Sequence, residues 1–140
     1  MSQEQYVAVK GIIRHQGKIL LIREAPGEDR TNPGKWDLPG GRIALGEHPA
    51  DGLHREIMDE VGLEVQISKL IWLDEWRPRI DGLQRQIVGV FLSCTAKTTD
   101  VKLNEDHDDH RWVKLDDAKK LPLMSAAASA LEAYGGYIAE

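Results

Sequence analysis

Apolar and polar positions alternate between two periods along the chain, and the changes of period predict the elements. Tyr6-Val-Ala-Val-Lys-Gly-Ile-Ile-Arg14 is a short β-rich run, and Ile19-Leu20-Leu21-Ile22 is a second. Between them His15-Gln16-Gly17-Lys18 is a turn signal, so the pair reads as a hairpin. Residues 24–41 read as loop, punctuated by Pro26-Gly27, Pro33-Gly34 and Pro39-Gly40-Gly41, with Trp36 and Leu38 as its large apolar anchors. A loop of this length is either functional or a mobile surface segment. From about Glu47 to Val61 the period becomes helical: Ala50, Leu53, Ile57 and Val61 share one face, and Gly62 is a stop.

Two strand-like runs follow, an irregular one from Leu63 to about Trp76 and another from Gln84 to about Ala96, with a turn at Pro78, Asp81 and Gly82. The acidic stretch Asn104–Asp109 leads into a short strand at Arg111-Trp112-Val113. Asp116-Asp117 and Pro122 bracket a helical turn. An Ala-rich helix runs from Leu123 to about Tyr134, ended by Gly135-Gly136. The order β-β-loop-α-β-β-β-α predicts a mixed sheet covered by helices. Core packing is the expectation for Trp36, Trp72 and Trp112.

Composition narrows the class. The 140 residues predict a single domain spanning 1–140; 41% hydrophobic and 29% charged residues place it among globular chains. A net charge of −5 argues against an electrostatic grip on duplex nucleic acid or an anionic membrane, but leaves open a phosphate-bearing small molecule met through metal ions. The lone Cys94 excludes an intrachain disulfide, and no apolar run approaches the ~20 residues of a membrane span. Met-Ser-Gln-Glu-Gln-Tyr has no signal-peptide character, so the expected location is cytoplasmic.

The candidate chemistry lies on the predicted helix. Glu56, Asp59 and Glu60 fall within an arc of about 100° that flanks the apolar face, where carboxylates can line a cleft at the edge of the core. Converging carboxylates repel one another unless a cation sits among them, and hard oxygen donors favour Mg²⁺, with Mn²⁺ as substitute. The alternative is a solvated acidic helix face. Two features favour the cleft. Gly52 sits on the acidic arc in mid-helix, where glycine costs about 1 kcal/mol relative to alanine and allows close backbone approach. Gly40-Gly41 precedes the helix and can bring a main-chain carbonyl to the same cation.

Gly41, five residues, Glu47, seven residues, then Arg55-Glu56-Ile57-Met58-Asp59-Glu60-Val61-Gly62-Leu63 resembles the Nudix box, Gly-x5-Glu-x7-Arg-Glu-U-x-Glu-Glu-x-Gly-U. One fixed position differs: Asp59 stands where the family has Glu. Trp36-Asp37-Leu38-Pro39-Gly40-Gly41 resembles the family's lead-in, and the stretch before Arg111 its later acidic loop. The resemblance implies an α/β/α sandwich and a metal-dependent pyrophosphohydrolase acting on a nucleoside diphosphate linked to another moiety. NDP-sugars such as ADP-ribose, (d)NTPs and dinucleoside polyphosphates all carry the reacting group. It further implies Glu56, Asp59, Glu60 and the Gly40 carbonyl as metal ligands, and a Glu47–Arg55 pair holding helix to loop. Asp59, one methylene short, is expected to reach its metal through water or to hold a further ion more weakly.

Three acids compete as general base: Glu56 on the metal face, and Glu105 and Asp106 in the later loop. His107 and His110 with Asp106 also allow a transition-metal site. Trp76, Arg77, Arg79 and Arg23 are candidates for substrate binding, since an aromatic ring stacks on a base and a guanidinium grips phosphate. Pro78, fifteen residues past Leu63, resembles a proline of ADP-ribose-hydrolysing members, or is simply a turn residue. A small-molecule nucleotide is the expected partner, with a homodimer left open. The rival readings are a nucleotide-binding regulatory module on the same fold, which the retained acids disfavour, and an mRNA-cap hydrolase, which the missing basic stripe disfavours.

Overall fold

A computed structural model describes residues 3–27 and 32–139; residues 28–31 of the predicted loop lie outside it. Eight strands and three helices follow in the order β1 (Gln3–His15), β2 (Lys18–Glu24), β3 (Trp36–Asp37), β4 (Gly40–Arg42), α1 (Pro49–Val61), β5 (Val65–Trp76), β6 (Arg79–Ile80), β7 (Leu83–Ala96), β8 (His107–Val113), α2 (Leu115–Ala118) and α3 (Ser125–Ala139). The strands form one mixed sheet whose spine runs β3-β2-β1-β7-β5. β1 and β7 pair in parallel along their length, from Gln3↔Gln84 to Arg14↔Thr95, and β5 lies antiparallel to β7.

Alternation along β1 sends Val9 and Ile13 to one face, where they pack with Leu53, Ile57 and Val61 of α1. Ile12 goes to the other face, with Ala127, Leu131 and Tyr134 of α3. β2 is buried on both faces, Leu20 and Ile22 against α1 and Ile19 and Leu21 towards α3, which accounts for its unbroken apolar run. The layers are helix, sheet, helix, as the strand order and the family resemblance both predict.

On its other side β1 changes partner. Near the hairpin it pairs with β2, at Arg14↔Ile19 and His15↔Lys18; lower down it pairs with β4, at Ala8↔Arg42, Val9↔Gly41 and Lys10↔Gly40. Leu38 and Pro39 cross the gap between the two, and the Pro39 carbonyl accepts from Gly11 N–H at 2.8 Å. The sheet is therefore split beside Lys10. Glycine is required at the split: Gly40 has φ of 143°, and a Cβ there would run into the Val9 carbonyl oxygen.

Four local expectations need correction. The loop of 24–41 contains β3 and β4, because Trp36 and the glycines find partners distant in sequence. β8 starts at His107, so half of the acidic stretch is strand, paired with β2. α3 runs through Gly135-Gly136 to Ala139: Gly135 lies under α2, where a Cβ would meet Leu115 Cδ2 at 3.3 Å, so that glycine serves close packing instead of termination. Trp72 is exposed and donates to Asp74 Oδ2 at 2.9 Å, because register shifts either side of Leu70 in edge strand β5 break the inward alternation. Trp36 is in the core as expected, and Trp112 packs beside the α1-side cluster. Among the described residues no helix is long and apolar enough to cross a membrane.

Candidate active site

α1 begins with His48, whose side chain accepts from Ala50 N–H, and Pro49 at its first position; it ends at Gly62 in the left-handed region. These caps set where the helix begins and ends, and its apolar stripe sets where its acids point. Leu53, Ile57 and Val61 are fully buried, so Glu56 and Glu60 lie at the boundary of the core and face β4.

The Gly40 N–H donates to Glu60 Oε1 at 2.7 Å. Glu56 lies over Gly41 so closely that a Cβ there would be 2.5 Å from Glu56 Oε2. The two glycines thus form a floor under two carboxylates. The contact observed at Gly40 is through its amide, whereas the resemblance assigns a ligand role to its carbonyl. Asp59 stands apart, its side chain 65% exposed and 3.8 Å from Arg55 Nη1.

Arg55 organises the rim. It grips Glu47 with two bonds, Nε to Oε2 at 2.8 Å and Nη2 to Oε1 at 2.9 Å. It also donates to Glu56 Oε1 at 2.9 Å and to the Arg42 carbonyl at 3.2 Å. Glu47 accepts from Ala44 N–H as well, and the hydrogen bonds from Arg55 and then Ala44 hold its pKa down at about 2. Helix and loop are pinned together by this fork. Gly52 makes it fit: a Cβ there would lie 2.6 Å from Ile43 Cγ2 and 2.9 Å from Glu47 Oε1.

Glu60 is electrostatically the most unusual group. Burial pushes its pKa up to about 7, against the opposing pull of Lys10 and the Gly40 amide, with Glu56 and Asp37 raising it further. A partly buried carboxylate beside a second carboxylate is a fitting place for a hard divalent cation. Among the described residues no three His, Cys, Asp or Glu side chains converge as a ready-made metal cluster, and Asp59 stands at the rim.

The later loop is tied to the same place. Asn104 N–H donates to the Glu60 carbonyl at 3.0 Å and Lys102 N–H to the Val61 carbonyl at 2.9 Å. The turn carrying Glu105 and Asp106 is thereby fastened to the last turn of α1. His107 bonds Asn104 Oδ1 through Nδ1 at 3.1 Å, and both His107 and His110 sit on β8, which gives a transition-metal site no shared helical face.

On the α3 side of the split lies a cavity of about 440 Å³, within the range typical of small-molecule sites. Trp76, Phe91, Ile87 and Met124 supply apolar wall; Lys10, Asp37 and Arg85 supply charge. Trp76 packs against β7 where Gly89 has no side chain; a Cβ there would be 2.5 Å from the indole Cζ3. Arg23, Arg77 and Arg79 do not line this cavity. Arg23 pairs with Asp108 at 2.8 Å and lies over Trp36, Arg77 is paired with Glu75 at 2.8 Å, and Arg79 is exposed on β6. Sequence reasoning missed Lys10, Asp37, Arg85 and Gly89. The signal for Lys10 was available: it is the lone charge inside an otherwise apolar strand run.

Comparison with known proteins places this geometry. The NUDIX domain family profile matches residues 4–134. Nucleoside triphosphatase NudI of Escherichia coli O81 (strain ED1a) is 33% identical over 139 residues, covering 94% of this chain and 97% of the relative. The NudI of Klebsiella pneumoniae (strain 342) is 31% identical, with the same coverage of both chains. Among solved structures, the MutT protein from Methanosarcina mazei Go1 superposes with TM-score 0.86 at 24% identity, covering 100% of this chain and 99% of that one. The MutT NUDIX hydrolase from Burkholderia pseudomallei gives 0.76 at 27% identity, covering 91% and 96%. With a box that departs only at Asp59, a domain match over most of its length and relatives aligned nearly end to end, the chain belongs to the Nudix hydrolase family.

Proposed function

We propose that the chain hydrolyses a nucleoside or deoxynucleoside triphosphate at an internal phosphoanhydride, using a divalent cation, Mg²⁺ or Mn²⁺, held by Glu56 and Glu60 with Asp59 at the rim. The observation that carries this is the adjacency of the Gly40–Glu60 cradle to an aromatic-walled cavity across the split at Lys10. The triphosphate class is preferred over an NDP-sugar because relatives that align over 97% of their length are named nucleoside triphosphatases. A regulatory module is disfavoured because the box keeps Arg55, Glu56 and Glu60 and carries another acid at Asp59.

The cation supplies charge neutralisation for the phosphates and acidifies water. The chain's own groups do the rest. Trp76 offers a face for the base, and Phe91 lines the same cavity. Arg55, fixed by Glu47, holds Glu56 against Gly41. Glu105 or Asp106 takes the proton from the attacking water, on a turn that the Asn104–Glu60 bond keeps beside the cleft.

A screen of nucleoside triphosphates, NDP-sugars and dinucleoside polyphosphates with Mg²⁺ and with Mn²⁺ tests the substrate class. At least one triphosphate is expected to be hydrolysed fastest, with no turnover in chelator; preference for an NDP-sugar would overturn the assignment. Steady-state kinetics of Glu105→Gln and Asp106→Asn across pH test the base. One of the two is expected to lower kcat about 10²-fold with a smaller change in KM. Full kcat and an intact acidic limb in both would transfer the role to Glu56.

A further inference from the structure

Lys10 is the least expected residue in β1. It interrupts a run in which Val9, Ile12 and Ile13 are fully buried, and its own side chain is only 14% exposed. Its partner Asp37 is 15% exposed. A pair this far from water is seldom kept for stability alone, because desolvation offsets much of the attraction. Burial by itself would lower the Lys10 pKa, but Asp37, Glu60 and Glu56 together hold it above the ordinary lysine value, so the group is an ammonium ion.

The position of that ammonium is specific. Its Nζ donates to Asp37 Oδ2 at 2.9 Å and to the Leu38 carbonyl at 3.3 Å. An ammonium has three N–H donors, and these two acceptors leave one for a ligand. Lys10 lines the cavity together with Trp76 and Phe91. Its Cα partner across the ladder is Gly40, whose amide holds Glu60. Lys10 therefore stands on the seam between the aromatic cavity and the two carboxylates. Any molecule with an aromatic group in the cavity and an anionic group at the carboxylates passes it.

We infer that Lys10, held in place by Asp37 and the Leu38 carbonyl, is a substrate-binding residue that donates to the phosphate attached to the nucleoside. The inference rests on the nucleotide reading of the site. It assigns Asp37 as a positioning residue, fixing the ammonium without touching the ligand. The Lys10 ammonium, facing Asp37, Glu60 and Glu56, also gives an anionic phosphate a point of entry beside these carboxylates.

Calorimetric titration of the whole chain in Mg²⁺ buffer tests this, using the four deoxynucleoside 5′-monophosphates and the four matching nucleosides. Hydrolysis cannot confuse the readout, because a monophosphate has no anhydride. Wild type is expected to bind at least one monophosphate 10-fold or more tighter than its nucleoside. Lys10→Met is expected to narrow that gap about tenfold while nucleoside affinity stays within about twofold. Lys10→Gln keeps a donor for Asp37 and removes the charge; it is expected to do the same, and decides the matter if the methionine variant fails to fold. A gap that persists in the folded variants makes Lys10 a structural residue and overturns the inference. A wild type that hydrolyses triphosphates yet shows no gap also overturns it, leaving the functional reading intact. A wild type that neither binds nor hydrolyses any nucleotide overturns both.

Discussion

Glu60→Gln is expected to lower kcat by at least 10²-fold and, in the absence of metal, to make the protein more stable at alkaline pH. The first effect follows from removing a charge proposed to hold the cation. The second follows from linkage. Glu60 has a folded pKa of about 7 against an ordinary value of 4.5. Native protein therefore binds this proton more tightly than unfolded chain does, and stability from this group is fully present below pH 4.5. It is lost as pH rises through 7, to a total of about 3 kcal/mol. Glutamine keeps the oxygen that accepts the Gly40 N–H and carries no charge to bury, so its unfolding curve should be flat across that window. Saturating Mg²⁺ should flatten the wild-type curve too, by supplying the counter-charge. Urea melts of both proteins between pH 5 and 8.5, with chelator and with Mg²⁺, measure this. A wild-type stability that does not fall across the window would mean that Glu60 is solvated, and a mutant with near-wild-type turnover would remove it from the metal site.

How much of this was legible in the chain depends on how local each determinant is. α1 and its end were legible because Leu53, Ile57 and Val61 recur at helical spacing and Gly62 takes a left-handed φ of 69°. The β1–β2 hairpin was legible because Gln16 and Gly17 both take positive φ within two residues. The cleft position of Glu56 and Glu60 also followed from helical spacing, since their angle to the buried stripe sets them beside the sheet. What failed was non-local. Gly135 looks like a helix stop, yet its meaning comes from α2 packing on it. Trp72 looks like core, yet a register shift in β5 turns it outward. The fold sets the arginines at 23, 77 and 79 off the cavity, Arg23 and Arg77 with carboxylate partners, which their sequence positions did not reveal. Lys10 and Asp37 are 27 residues apart, and only the split of the sheet brings them together. No periodicity encodes that meeting, because it arises where β2 leaves β1 and β4 takes its place.

The adjacent glycines at the split should separate stability from activity. Gly40→Ala is expected to destabilise the fold by at least about 2 kcal/mol. A φ of 143° is essentially closed to residues with a Cβ, a strain of about 1–3 kcal/mol. The added methyl also strikes backbone, namely the Val9 carbonyl and the Lys10 Cα at 2.7 Å, and overpacking against groups that cannot swing aside adds about 1–3 kcal/mol. If β4 shifts to relieve the clash, the Gly40 N–H leaves Glu60 and turnover falls with it. Gly41 differs: its backbone is ordinary, and what a Cβ meets is the tip of Glu56, at 2.5 Å from Oε2 and 2.7 Å from Cδ. A flexible side chain can move, so Gly41→Ala should cost less than about 1 kcal/mol of stability. It should nevertheless lower kcat by about 10²-fold, because the carboxylate that moves is one of the two proposed to hold the cation. Urea melts and steady-state kinetics on the two variants give the comparison. Equal stability losses would mean that β4 is not held against β1 in the register Lys10↔Gly40. An active Gly41→Ala would mean that Glu56 works from a position other than above the glycine floor.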